Sequence, residues 1–133
     1  MEHLLPRLTK ILETVLYFAD QDRTERFYVD VLGMRLLSRE PGHSLFLRVG
    51  SSVFLLFNAE SSKRGSLPAH GATGPGHICF LVPPDDYEPW KAHLHSRGVP
   101  ILREIQWPGG PSFYFHDPDG NVLEIANADI WPA

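Results

Sequence analysis

The chain has a single cysteine among 133 residues, so no intrachain disulfide can form, and a reducing cytoplasm is the expected location. Long apolar runs are missing: Val53–Phe57 is too short to cross a bilayer, and no run exceeds it. Met1-Glu2-His3-Leu4-Leu5-Pro6 has neither an apolar core nor a small-residue cleavage site, so no signal peptide is expected. Positive charge is scarce, with 12 basic against 16 acidic residues and a net charge of −4. Lys63-Arg64 is the only adjacent basic pair. The footprint needed for nucleic acid is therefore lacking, and neither nucleic acid nor membrane is an expected partner. What is present is ordinary for a globular domain: 43% apolar and 21% charged residues, which excludes a wholly disordered chain.

Residues 1–10 read as an N-terminal arm. Ile11–Phe18, rich in β-branched and aromatic residues, predicts a strand broken by one charge, Glu13. Asp20 or Asp22 caps a predicted helix over 22–32, with Gly33 in the position that ends it. Strands are predicted over Met34–Arg39, Ser44–Val49 and Ser52–Phe57. Residues 59–76 lack apolar periodicity and read as a linker. The pattern then restarts with a strand over His77–Val82 and a helix from Asp85 or Asp86 to Ser96, closed by Gly98. Three further strands follow, Ile101–Ile105, Ser112–His116 and Asn121–Ala126, with the turn Asp117-Pro118-Asp119-Gly120 between the last two.

The order is βαβββ, linker, βαβββ: module one is 11–58, module two is 77–127, and 128–133 is a tail. Glu13 falls on His77 at an offset of 64 residues, Gly33 on Gly98 at 65, and Leu55 on Glu124 at 69. Offsets that grow slowly in one direction are what small loop insertions produce. Neither unit is large enough to bury a sheet face alone, so the two are expected to complete one core. The predicted fold class is α+β, with two modules forming curved, mainly antiparallel sheets and a cleft that suits a small-molecule substrate.

Among the polar residues inside strands, Glu13, His77 and Glu124 stand at repeat-equivalent or strand-terminal places. A carboxylate in an apolar strand is costly to bury unless something pairs with it. Two carboxylates converging with an imidazole point to a divalent cation, and this ligand set suits Fe, Mn, Zn, Co or Ni. Taken singly, each residue also fits a structural role, a Glu on a solvent face or a His hydrogen-bonded in the core. Cys79, in Ile78–Val82, reads as a small buried hydrophobe.

Four segments carry a resemblance: Glu13–Asp20, Phe27-Tyr28-Val29-Asp30-Val31-Leu32-Gly33-Met34, Gly74–Phe80, and Ser112–Glu124 with its DPDGN turn. Over residues 11–127 the chain resembles the vicinal oxygen chelate superfamily, which includes glyoxalase I, fosfomycin-resistance enzymes, extradiol dioxygenases and bleomycin-resistance proteins. The resemblance implies paired βαβββ modules and a metal site at Glu13, His77 and Glu124. It also implies a homodimer, with modules paired within or between chains. The fourth, carboxylate ligand of glyoxalase I would fall at Leu55 or a neighbour, and Val53–Phe57 offers none. An open three-ligand site implies a lyase, isomerase, transferase or dioxygenase acting on a substrate with adjacent oxygens. The alternative is a metal-free binding protein of the bleomycin-resistance type.

Tyr114 and His116 share one strand face, opposite Phe113 and Phe115, and are the candidate proton-transfer residues. His70, in the linker, reads as a lid residue or a solvent histidine. His43, His93 and His95 read as surface residues. Trp90 reads as core, and Trp107 as a cleft wall or a loop anchor. Only Arg48, Arg103 and the Lys63-Arg64 loop could serve as cationic groups for an anionic substrate.

Overall fold

The computed structural model describes residues 6–64 and 68–131. Strand β1 (Glu13–Phe18) leads into helix α1 (Gln21–Glu25), which runs on as a π-helix over Arg26–Val31. Strands β2 (Arg35–Glu40), β3 (Ser44–Val49) and β4 (Ser52–Asn58) complete module one, followed by helix α2 (Ala59–Lys63). Module two has β5 (His77–Leu81), a 3-10 turn over Pro84–Asp86, α3 (Tyr87–Ser96), β6 (Arg103–Trp107), β7 (Gly110–His116) and β8 (Val122–Ala126). The two sheets have one topology, β1-β4-β3-β2 and β5-β8-β7-β6, parallel in the first pair of each and antiparallel elsewhere. The arm's first five residues and the last two of the tail lie outside the described residues.

Strand alternation sets the layers. In module one Leu16, Phe18, Leu45, Leu47, Phe54 and Leu56 face inward, while Glu13, Val15 and Tyr17 line the opposite face. Module two buries Phe113, Phe115, Leu123 and Ile125 on its inner face. The inner faces of both sheets, with Tyr28 and Leu94 from the helices, form one buried cluster. Neither module could close it alone.

The first helix differs from the expected single α-helix over 22–32. The Asp20 side chain caps it, accepting from Arg23 N at 3.1 Å. From Arg26 the turns widen, and Leu32 N donates to Phe27 O across five residues. The widened segment keeps the adjacent aromatics Phe27 and Tyr28 both buried. Gly33 then reverses the chain at φ +74°, a conformation that favours glycine.

Two boundaries move for local reasons. Residues 59–63 of the expected linker form α2, because the Asn58 side chain accepts from Ser61 N at 3.0 Å and caps a turn. β6 lies at 103–107 rather than 101–105, because the tight turn at Pro108-Gly109 pairs Trp107 with Gly110 and fixes the register.

The DPDGN turn ties the modules together. Asp117 is buried and accepts from the Tyr28 phenol at 2.6 Å, from Asn121 Nδ2 at 2.8 Å, and from the backbone N–H groups of Asp119 and Asn121 at 2.9 Å. Asp119 accepts from Ala19 N at 3.0 Å and from the Thr24 hydroxyl at 3.2 Å. Burial and the Asp117 carboxylate push the Tyr28 phenol well above its ordinary pKa, so it stays a donor. No helix among the described residues is long and apolar enough to cross a membrane.

Candidate metal centre

Period-two alternation puts His77 and Cys79 on one face of β5 and Val122 and Glu124 on the same face of β8. Register carries this face across the sheet. His77, Val122 and His116 form one row; Cys79, Glu124, Tyr114 and Arg103 form the next. This outer face is open: the His77 side chain is 51% exposed, while Glu124 beneath it is 6% exposed.

His77 and Glu124 meet directly. His77 Nε2 lies 3.2 Å from Glu124 Oε1. The other ring nitrogen, Nδ1, lies 2.8 Å from the Val122 carbonyl oxygen and donates its hydrogen there. That bond fixes the tautomer and leaves the Nε2 lone pair directed at the site. Glu124 Oε2 is buried with no hydrogen-bond partner. Leaving a carboxylate oxygen desolvated and unpaired is unfavourable by kilocalories unless a cation or donor arrives. An imidazole lone pair beside a bare carboxylate oxygen is a donor set that fits a divalent metal.

Glu13, the third expected ligand, is exposed on the outer face of sheet one. Among the described residues no three His, Cys, Asp or Glu side chains gather to hold a metal within one chain. The single chain thus assembles two of the three expected ligands and leaves Glu13 apart from them. Leu55, where a fourth ligand would stand, is buried and apolar.

Tyr114 stacks on His77, with ring centroids 6.1 Å apart and planes 29° from parallel. Burial raises its pKa, Ser112 opposes that shift and the Glu124 carboxylate adds to it, so the phenol keeps its proton at neutral pH. His77, Glu124 and Tyr114 line a cavity of about 310 Å³ with Trp107, Ile130 and Trp131. Trp107 is both cleft wall and anchor: it lines the cavity while its Nε1 donates to Ser112 Oγ at 2.9 Å. His116 stands exposed at the end of β7, outside this lining.

Several expectations are corrected. Cys79 is exposed, not buried, because it is two residues from His77 on the open face. Partial burial and the Glu124 carboxylate push its thiol up to about 12, so it is no nucleophile at neutral pH. His70 is exposed, as a solvent histidine would be, with its Nδ1 2.7 Å from the Tyr17 hydroxyl and its ring edge-on to Phe57. His43 and His93 are half-buried, His43 bonded to Ser61 Oγ at 2.7 Å and His93 to the Val31 carbonyl at 2.8 Å. Trp90 packs against the core as expected. The contributions of Ile130 and Trp131 left no signal in the tail's own sequence, since only the folded β6–β7 turn brings them to the site.

Comparison with known proteins fits this geometry. A Haemophilus influenzae lactoylglutathione lyase is 33% identical over 129 residues, covering 87% of this chain and 90% of that protein. A Staphylococcus epidermidis metallothiol transferase FosB is 31% identical over 106 residues, covering 78% and 73%. The chain spans only 34% of a Serratia marcescens glutathione transferase FosA and 47% of a Schizosaccharomyces pombe lactoylglutathione lyase that it also matches. The solved structure of a lactoylglutathione lyase from Agrobacterium tumefaciens superposes with a TM-score of 0.90 at 34% identity, covering 96% of this chain and 100% of that one. A family model matches residues 10–125, and the chain belongs to the Glyoxalase/Bleomycin resistance protein/Dioxygenase superfamily.

Proposed function

We propose that the protein is a metal-dependent enzyme of the vicinal oxygen chelate type, acting on a small substrate with adjacent oxygen atoms in the cytoplasm. The observation that carries this reading is the buried, unpartnered Glu124 Oε2 beside the outward lone pair of His77. His77 and Glu124 are two ligands; Glu13 of a second copy of the chain is the third, so the working form is a homodimer. A divalent cation there, Fe, Mn, Zn, Co or Ni, supplies Lewis acidity to the paired oxygens of a substrate.

The chain's own groups have separable tasks. The Val122 carbonyl holds His77 in one tautomer. The protonated Tyr114 phenol, stacked beside the pair, donates to a substrate oxygen as charge develops on it. His116, on the same strand as Tyr114, lies outside the cavity lining, which leaves Tyr114 as the proton-transfer residue. Trp107 and the tail limit access of water. Cys79, held as a thiol, takes no part as a nucleophile. With Leu55 in place of a carboxylate, coordination positions stay open, which favours a transferase, lyase or dioxygenase cycle over a four-ligand isomerase.

Mixing two inactive variants tests the assignment. Glu13→Ala and His77→Ala are each expected to purify without metal. Co-refolded in equal amounts, they should recover about one metal per mixed dimer, roughly one per two dimers overall, since one of the two sites in a mixed dimer then has all its ligands. Full metal occupancy in either single variant, or no recovery on mixing, would remove the three-ligand, two-chain site. A wild-type protein with no bound metal and no thermal stabilisation by any of the five cations would favour metal-free sequestration.

A further inference from the structure

The cavity beside His77 and Glu124 has one wall made by the chain's own tail. Ile130 and Trp131 line it together with Trp107 and Tyr114. The tail is seated, not merely adjacent. A Cβ at Gly109 would lie 2.9 Å from Ile130 Cα and 3.0 Å from the Asp129 carbonyl oxygen, so only glycine lets the tail approach this closely. Gly110 faces Ala128 Cβ and the Ile130 side chain. Trp131 N donates to Asp129 Oδ1 at 3.0 Å, turning the chain back towards the cavity. On the other side Trp107 is held by its bond to Ser112.

Two tryptophans thus flank the site with large apolar surfaces left open, Trp131 78% and Trp107 39% exposed. Exposed aromatic surface around a cavity marks a place where burial is still available. The polar groups are confined to the floor, His77, Glu124 and Tyr114. Among the described residues no lysine or arginine lines the cavity. That lining suits a molecule with paired oxygens at one end and a flat apolar group at the other.

We propose that the tail, locked on Gly109 and Gly110, is a specificity element, and that Trp131 and Trp107 form an aromatic slot selecting substrates whose oxygen pair carries an aryl or conjugated group. The inference rests on the metal-chelate reading above, and the two can fail separately. Mandelate and lactate present the same hydroxy-carboxylate oxygens and differ by a phenyl in place of a methyl group. Calorimetry on Mn-loaded wild-type protein is expected to give mandelate an affinity about tenfold or more above that of lactate, as burial of a ring between aromatic walls requires. Trp131→Ala should bring the ratio near one. Gly109→Ala should do the same without altering any lining residue, since it displaces the tail, and both variants should keep full Mn occupancy.

No mandelate binding, equal affinities in the wild type, or an undiminished preference in Trp131→Ala would overturn the slot. So would a Trp131→Ala variant whose one change, by sedimentation, is weaker dimerisation. Mandelate and lactate affinities that are both as tight in metal-free protein as in Mn-loaded protein, with the preference intact, would support the slot and overturn the metal-chelate reading.

Discussion

The two modules share one topology and one register, and they differ in what that register presents. Glu13 pairs with Val53 in sheet one as His77 pairs with Val122 in sheet two, so Leu55 and Glu124 occupy equivalent places. In module two the position two residues past the valine is a buried carboxylate beside an imidazole; in module one it is a buried leucine beside an exposed glutamate. Sheet two therefore carries an unpaired carboxylate oxygen beside an imidazole, and sheet one carries an apolar patch of Phe46, Leu55 and Phe57 next to a row in which Glu13 shares its face with Arg48 and Arg35. A repeated scaffold fixes positions in space, and substitution at equivalent positions then divides the chemistry between the copies.

The covers differ too. Sheet one is approached by His70, hydrogen-bonded to Tyr17, from the segment after α2. The face of sheet two is approached by the tail over the β6–β7 turn.

The largest way to break this asymmetry is at Glu124. Glu124→Gln should abolish metal-dependent stabilisation: the wild type at a hundredfold excess of metal over its dissociation constant gains about 2.7 kcal/mol, and the variant gains none. Paired thermal melts with and without cation read this out, and an unchanged metal response would reassign the site. Leu55→Glu runs the comparison in reverse. It places a carboxylate in a buried apolar position, and metal-free protein should lose about 1–3 kcal/mol by urea titration. If the position meets the metal in the assembled dimer, the loss is recovered on adding cation.

A smaller effect is expected where the modules are joined. Tyr28→Phe deprives Asp117 of its 2.6 Å phenol donor and should cost about 1–3 kcal/mol. The wild-type phenol has its pKa raised by folding, so its contribution is complete below the unfolded value of about 10 and declines as pH rises towards the folded value. The wild-type advantage over Tyr28→Phe should therefore shrink above pH 10. The smallest effect belongs to a peripheral contact of module two, whose counterpart in module one is Arg39 paired with Asp22 and Glu25. Glu104 accepts from Tyr87 at 2.6 Å and from Lys91 at 2.9 Å, and these bonds lower its pKa. Glu104→Gln should cost less than about 1 kcal/mol, because the pair is largely solvated. Its effect should be present above the ordinary carboxylate range and vanish as pH falls through the lowered folded value.

Local pattern made the repeat, the strand order, a helix cap at Asp20 or Asp22, the Gly33 reversal and the DPDGN turn legible in the sequence, because each depends on side-chain alternation or on one residue's local preference. The same alternation put Tyr114 and His116 on one strand face, and it could have shown that Cys79 shares a face with His77; that Tyr114 and Glu124 join them follows from the sheet register. Packing decided the rest. The π-helix exists because both Phe27 and Tyr28 have to reach the core. The Asp117 carboxylate gains its inter-module partner only once residue 28 is brought to residue 117. Trp131 enters the site because Gly109 leaves room for a tail about twenty residues away. Contacts of that kind depend on where two distant segments meet, a distance that no local pattern encodes. The separation of Glu13 from His77 within one chain, despite their matched places in the repeat, has the same origin: equivalence in sequence sets the register within each sheet, and only tertiary packing sets how the two sheets face.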